Sequence, residues 1–254
     1  MDIRTLSERI FGIDDDRQFN DLALHVFCYQ YGNNSIYRSF CDARSIDVRK
    51  VKHYTQIPCI PVEFFRDNRV VTGDRNAELV FVSSGTTGHG NSTHHVLDNE
   101  LYEMSLRKGF ERFLGSPQNY HILALLPSYL ERENSSLVYM VRRLIELSNS
   151  RYSGFYLHNL KELQSRIKAI GEDDRKILLI GVSYALIDMA EKYPVSRKNL
   201  LVMETGGMKG RRKELMREEL HVILKRGFGV DVILSEYGMT ELLSQAYSAG
   251  NGVL

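Results

Sequence analysis

Tryptophan is absent from this chain of 254 residues, proline occurs five times and cysteine three times. Cys28, Cys41 and Cys59 are an odd number with no C-x-x-C pair, which leaves no basis for a disulfide framework or a structural zinc site. They are expected as small buried hydrophobes in a reducing compartment. Excess charge is missing as well: 33 Lys and Arg against 32 Asp and Glu leave a formal charge of +1. No global field therefore draws the chain to nucleic acid or to an anionic membrane, and any anion site has to be local. No apolar run approaches the roughly 20 residues that cross a bilayer, and MDIRTLSERIFGIDDD reaches charged residues too early for a signal peptide. A soluble, cytoplasmic protein with no nucleic-acid partner and no membrane span is expected.

What is present is a 43% hydrophobic composition, enough for one large domain or two closely packed subdomains. Short apolar runs bounded by turn residues read as buried strands: ELVFVSS (78–84), YHILALLP (120–127), RKILLIGV (175–182), NLLVMETGG (199–207) and DVILSEYG (231–238). Helical patterns alternate with them at 98–114, 135–148, 159–170, 183–192 and 210–226. The last has Leu215, Met216, Leu220, Ile223 and Leu224 on its apolar face. The alternation predicts an α/β fold with a mostly parallel sheet flanked by helices. Residues 1–65 are expected as a helical N-terminal segment packed on a main α/β nucleotide-binding domain, 66–254. Asp14 to Asp16 read as the acidic start of a helix rather than a metal cluster.

The most informative stretch is SSGTTGHGNS (83–92), directly after ELVFV. Its spacing from Gly85 nearly matches a P-loop, but Asn91 stands where that motif has its lysine and cannot supply the charge. A plain turn would account for Gly85 and Gly88. It leaves Ser83, Ser84, Thr86 and Thr87 unexplained, four hydroxyls grouped after a strand. Such a loop can enclose a polyphosphate if a metal ion carries the counter-charge. His89, His94 and His95 are further candidates as phosphate donors.

The carboxylate that such a site needs is found in SEYGMTELL (235–243). Tyr237 offers an aromatic face to a base, Gly238 permits close backbone approach, Thr240 brings a hydroxyl, and Glu241 is a hard oxygen ligand suited to Mg²⁺. Pro127, Ser128 and Tyr129 end another apolar strand, where a substrate could sit, and Asn134 or Ser135 caps the helix after them.

SSGTTG, a Gly206-Gly207 turn after a strand, and YGMTE about 150 residues beyond the first loop make an ordered set. In these motifs the chain resembles the adenylate-forming superfamily of acyl- and aryl-activating enzymes. It is most similar to the LuxE-type acyl-protein synthetases of bacterial luminescence, which are related to phenylacetate–CoA ligases. IPVEFFRDNRVV (60–71), LLPSYLERENSSLVYMV (125–141) and ETGGMKGRRKEL (204–215) carry the likeness further.

The resemblance implies ATP-dependent activation of a carboxylic acid, fatty in this family, as an acyl-adenylate, followed by transfer of the acyl group to a protein thiol. It implies ATP and Mg²⁺ as cofactors and an acyl-accepting protein or a reductase as partner. By similarity, Ser84, Thr86, Thr87 and Gly88 hold the β- and γ-phosphates, with Ser83 and Gly85 in the same loop. Thr240 holds the α-phosphate, Glu241 binds Mg²⁺, Tyr237 stacks on adenine, and Gly206, Gly207 and Gly238 border the pocket.

Members of the superfamily continue past the T-E motif with a ribose-binding acid and a C-terminal domain that carries a lysine. Here 13 residues follow Glu241, so an adenylation domain shortened at its C-terminus is expected. No cysteine follows Cys59, so no acyl-acceptor residue is carried over. An acyl- or aryl-CoA ligase and a non-catalytic nucleotide-binding or partner-docking subunit are the alternatives. Replacing Thr86 and Thr87 together by Val is expected to weaken Mg·ATP binding, measured by titration calorimetry, without unfolding the protein. Unchanged affinity would return the loop to a plain turn.

Overall fold

The computed structural model describes residues 3–83, 90–127, 134–157, 159–171, 173–206, 215–248 and 250. The chain divides into two units, Met1–Tyr102 and Glu103–Leu254.

In the first unit, side-chain caps set the helices. Asp15 accepts from the Gln18 N–H at 2.7 Å and so starts α2 (Asp16–Asn33), which follows the short α1 (Ile3–Ile10). Asn34 ends α2 and caps α3 (Ser35–Ala43), accepting from the Tyr37 N–H at 3.0 Å. Phe27, Tyr37 and Cys41 form a buried cluster on which Phe40, Val48, Ile57 and Ile60 pack. The Tyr37 hydroxyl donates to the Pro58 carbonyl at 2.7 Å and fastens the proline-bearing connection to these helices. Only Cys41 meets the expectation of burial, because Cys28 and Cys59 are exposed. Leu22 and Phe27 take the inward face of α2, and Ile57 and Ile60 take the inward positions around Cys59.

After α4 (Phe64–Asp67), the ELVFV run forms β1 (Leu79–Val82). It does not join the parallel sheet, as expected of it, but pairs antiparallel with β2 (Thr93–Val96), Leu79 opposite Val96 and Val82 opposite Thr93. Phe81 is buried whereas Val80 is exposed, the half-buried alternation that suits an antiparallel ribbon. Asp98 then caps α5 (Asn99–Leu114) by accepting from the Leu101 N–H at 2.9 Å.

The second unit is a six-stranded sheet. Its elements are β3 (Tyr120–Leu125), α6 (Ser136–Ser148), β4 (Gly154–Tyr156), α7 (Leu160–Ala169), β5 (Lys176–Val182), α8 (Ser183–Lys192), β6 (Leu200–Thr205), α9 (Arg217–Phe228), β7 (Ile233–Gly238) and β8 (Gln245–Ser248). The strand order is β4-β3-β5-β6-β7-β8, parallel except for β8, which runs antiparallel to β7. Each parallel crossover carries a helix, so the expected α/β architecture with a mostly parallel sheet stands. All of β3, and all of β5 after Lys176, is buried. Ser135 caps α6. On α9, Leu220, His221, Leu224 and Phe228 face inward. Met216 does not: it is 69% exposed, since it precedes the first helical turn and is not held to that face.

Gly227 on α9 permits close contact with α8. A Cβ there would lie 2.7 Å from the Ala190 Cα and 2.8 Å from its carbonyl oxygen, so no side chain fits while the helices keep this distance. Gly227→Ala is expected to cost about 1–3 kcal/mol through overpacking, read as a lowered midpoint in urea denaturation.

Candidate active site

The carboxyl ends of the parallel strands are where ligands collect in open α/β sheets. Here β6 ends in Glu204-Thr205 and β7 in Ser235-Glu236-Tyr237-Gly238, with Glu204 in register with Ser235 and Thr205 with Glu236. β7 is buried from Ile233 through Glu236 and emerges at its end, where Tyr237 is 51% exposed. SEYG is therefore strand, and the turn that follows it leads into β8 with Gly238 opposite Gln245. Thr240 and Glu241 lie in that turn, partly exposed. Gly206, with φ of 73°, follows β6 in the left-handed region where a side chain is disfavoured. The structure thus places Gly206, Tyr237 and Gly238 at the ends of two adjacent strands. Pro127 is buried just past β3, which β5 separates from β6.

Ser83 belongs to the first unit. Its N–H donates to the Ser92 carbonyl at 2.9 Å, and its hydroxyl accepts from the Ser92 N–H at 2.8 Å. Ser84, Gly85, Thr86, Thr87, Gly88, Gly207, Ser128 and Tyr129 lie outside the described residues. Of the loop histidines, His94 is buried on β2 with its ring edge-on to Phe65 at 5.7 Å. Burial, with Arg69 nearby, lowers the His95 pKa, so His95 is neutral at neutral pH and a poor counter-charge for phosphate.

A buried polar group at the ends of β6 and β7 was not anticipated from the sequence. Thr205 donates its hydroxyl proton to Glu236 Oε2. Ser183, at the start of α8, donates to Glu204 Oε2 at 3.2 Å. His221 of α9 stands 4.0 Å from Glu204 Oε1. The His221 Nε2 and Ser235 Oγ atoms are buried without a hydrogen-bond partner among the described residues. Burial above all, reinforced by the neighbouring Glu204 and opposed by the Thr205 hydrogen bond, pushes Glu236 from its ordinary 4.5 up to about 7. Burial lowers His221 against the pull of Glu204. A signal for this group existed in the sequence: LLVMET and VILSE each close an apolar strand with an acid. A Cβ on Gly238 would meet Glu236 Oε1 at 2.8 Å, so glycine leaves room for that carboxyl. No group of three His, Cys, Asp or Glu able to hold a metal occurs among the described residues.

The fold is that of the adenylate-forming ligases. The chain is similar to the crystal structure of 2-hydroxyisobutyryl-CoA ligase in the postadenylation state in complex with 2-HIB-AMP, with a TM-score of 0.59 and 11% identity. The match covers 89% of this chain and 48% of the ligase, so the chain spans about half the length of that protein. Residues 5–249 match the family described as acyl-protein synthetase, LuxE, and the chain belongs to that family. None of the curated proteins compared with it matches.

Glu236 makes stability depend on pH. Its folded pKa of about 7 lies above its ordinary 4.5, so its contribution is fully present below pH 4.5 and is lost as pH rises toward 7. At about 1.4 kcal/mol per pH unit the loss is on the order of 3 kcal/mol. Glu236→Gln is therefore expected to raise Tm at pH 8 and leave it nearly unchanged at pH 4.5. An equal effect at both values would contradict the assignment.

Proposed function

We propose that the chain activates a carboxylic acid, fatty in kind, by attack of its carboxylate on the α-phosphate of ATP, and that the acyl group of the resulting adenylate passes to a protein thiol. The observation that carries this reading is membership of the acyl-protein synthetase family over nearly the whole chain. The setting of Tyr237 and Gly206 at the carboxyl ends of neighbouring strands supports it.

In this reading Tyr237 stacks on adenine, with the backbone of Gly206, Gly207 and Gly238 against the ring. Ser83, Ser84, Gly85, Thr86, Thr87 and Gly88 hold the β- and γ-phosphates, and Thr240 orients the α-phosphate. Pro127, Ser128 and Tyr129 border the acid. Glu241 is the residue that would hold Mg²⁺, which would supply charge neutralisation to the phosphates. A single carboxylate suits that ion, because Mg²⁺ takes most of its ligands from phosphates and water. The residues position an in-line displacement and stabilise its charge, and no protein nucleophile is needed at the first step. A cytoplasmic setting agrees with three free cysteines and with the absence, among the described residues, of a helix long and apolar enough to cross a membrane.

Carboxylate-dependent exchange of pyrophosphate into ATP tests the activation step, and acyl-hydroxamate formation identifies the acid. Exchange is expected with a fatty acid and is expected to fall at least tenfold in Glu241→Gln, which removes the charge on an exposed turn. A complete gene product that binds ATP yet shows no exchange with fatty, aryl or short acids would refute the proposal. Acyl transfer to coenzyme A in place of a protein thiol would refute its second half.

A further inference from the structure

The amino-terminal ends of the same parallel strands hold a second group of reactive side chains. A cavity of about 430 Å³ there is lined by His121, Ser150, Arg151, Tyr152, Asp173 and Arg175, among others. That volume lies within the range of small-ligand pockets, roughly 300–1,000 Å³. His121, near the start of β3, is only 2% exposed, and its edge faces the Tyr152 ring at 5.2 Å. Its Nδ1 lies 2.7 Å from Ser150 Oγ, and its Nε2 lies 3.1 Å from both carboxylate oxygens of Asp173.

The partners of the two ring nitrogens match one neutral tautomer. A carboxylate only accepts, so Nε2 carries the ring proton and donates it to Asp173. Nδ1 then presents its lone pair to Ser150. With Nδ1 as acceptor, the Ser150 hydroxyl donates its proton to it, while the same oxygen accepts from the Tyr152 N–H at 3.2 Å. A hydroxyl, a base and a carboxylate that orients the base are thus in line, the relation that activates a serine nucleophile.

The turn that carries Ser150 is held by other groups besides its hydroxyl. Asn149, in the left-handed region at φ 45°, ends α6. Ser148 Oγ and Ser153 Oγ lie 2.9 Å apart, and Ser153 Oγ accepts from the Ile122 N–H at 2.8 Å, already joining the turn to β3. Asp173 is 48% exposed, which leaves this end of the relay open to solvent. Arg175 is fixed at the cavity by donating to the Ser148 carbonyl at 3.2 Å, and Arg151 stacks on Tyr152 at 4.8 Å.

We propose that this cavity is a second reactive site, in which Ser150 is a nucleophile toward small acyl esters, His121 its base and Asp173 the residue that positions the base. Ser150 Oγ bonds to the acyl carbon as its proton passes to His121 Nδ1. The ester C–O bond breaks, the leaving alcohol takes that proton, and water releases the acid by the same route in reverse. Arg151 and Arg175 supply positive charge around the carbonyl oxygen as it becomes anionic. The site lies at the other end of the strands from the proposed nucleotide site and does not depend on that reading.

The test treats the full chain with a fluorophosphonate probe, whose P–F bond is displaced by an activated serine, and locates the adduct by peptide mass spectrometry. Labelling at Ser150 is expected in the wild-type chain, and absence of that adduct overturns the proposal without recourse to any variant. His121→Gln is expected to slow labelling about 100-fold or more, and an unchanged rate in the folded variant also overturns it. Asp173→Asn removes the carboxylate facing His121, leaving Arg151 and Arg175 as the charged groups that line the cavity among the described residues. The pH midpoint of labelling should then move down, and an unmoved midpoint would reduce Asp173 to a structural tie. Hydrolysis of p-nitrophenyl acetate is expected in the wild-type chain and lost in Ser150→Ala. Hydrolysis that survives this change would overturn the acyl-ester assignment.

Discussion

A strand covered on both faces has no room for a polar side chain except at its ends, and this constraint organises the second unit. β3, β5 and β6 lie beneath helices and offer Ile, Leu, Val and Met almost without interruption. Their backbone groups are satisfied by the parallel ladders, so the sheet interior is chemically silent. Chemistry is confined to the two rims. Glu204, Thr205, Glu236 and Tyr237 occupy the carboxyl rim, and His121, Asp173 and Arg175 the amino rim.

The rims solve the problem of buried polarity differently. At the carboxyl rim two buried glutamates end neighbouring strands, and burial, with Glu204 beside it, raises the Glu236 pKa so that a proton neutralises it more readily. At the amino rim a ring N–H takes that part, because His121 hydrogen-bonds to a half-exposed carboxylate, Asp173. A net charge near zero therefore hides strong local electrostatics at both ends of one sheet.

The parallel core was legible in the sequence because YHILALL, KILLIGV, LLVMET and VILSE are long, apolar and separated by helical periods. What escaped was short or polar. GFY of β4, QAYS of β8 and THHV of β2 are three or four residues with little apolar content, and they become strands only because a neighbour offers its edge. The ELVFV run has the same composition as the parallel strands, yet its partner lies 14 residues downstream, and composition carries no information on partners. At the candidate site, the residues with ligand-like chemistry, Tyr237, Thr240 and Glu241, were legible by type. Glu204, Glu236 and His221 were not, since their significance lies in being brought together by two strands and a helix distant in sequence. The Ser150–His121–Asp173 cluster was hidden for the same reason, its members spanning 53 residues. Exposure of Cys28 and Cys59 turned on which face of a local element points inward, and residue type alone does not decide that.

The pair of bonds between Ser83 and Ser92 has a consequence for the segment they bracket. A loop whose ends are held together by its own hairpin has met the entropy of closure during folding. A ligand bound between Ser83 and Ser92 would then not have to oppose the separation of those two ends. Substitutions between the two serines would then leave this closure in place, since it is made by Ser83 and Ser92 themselves.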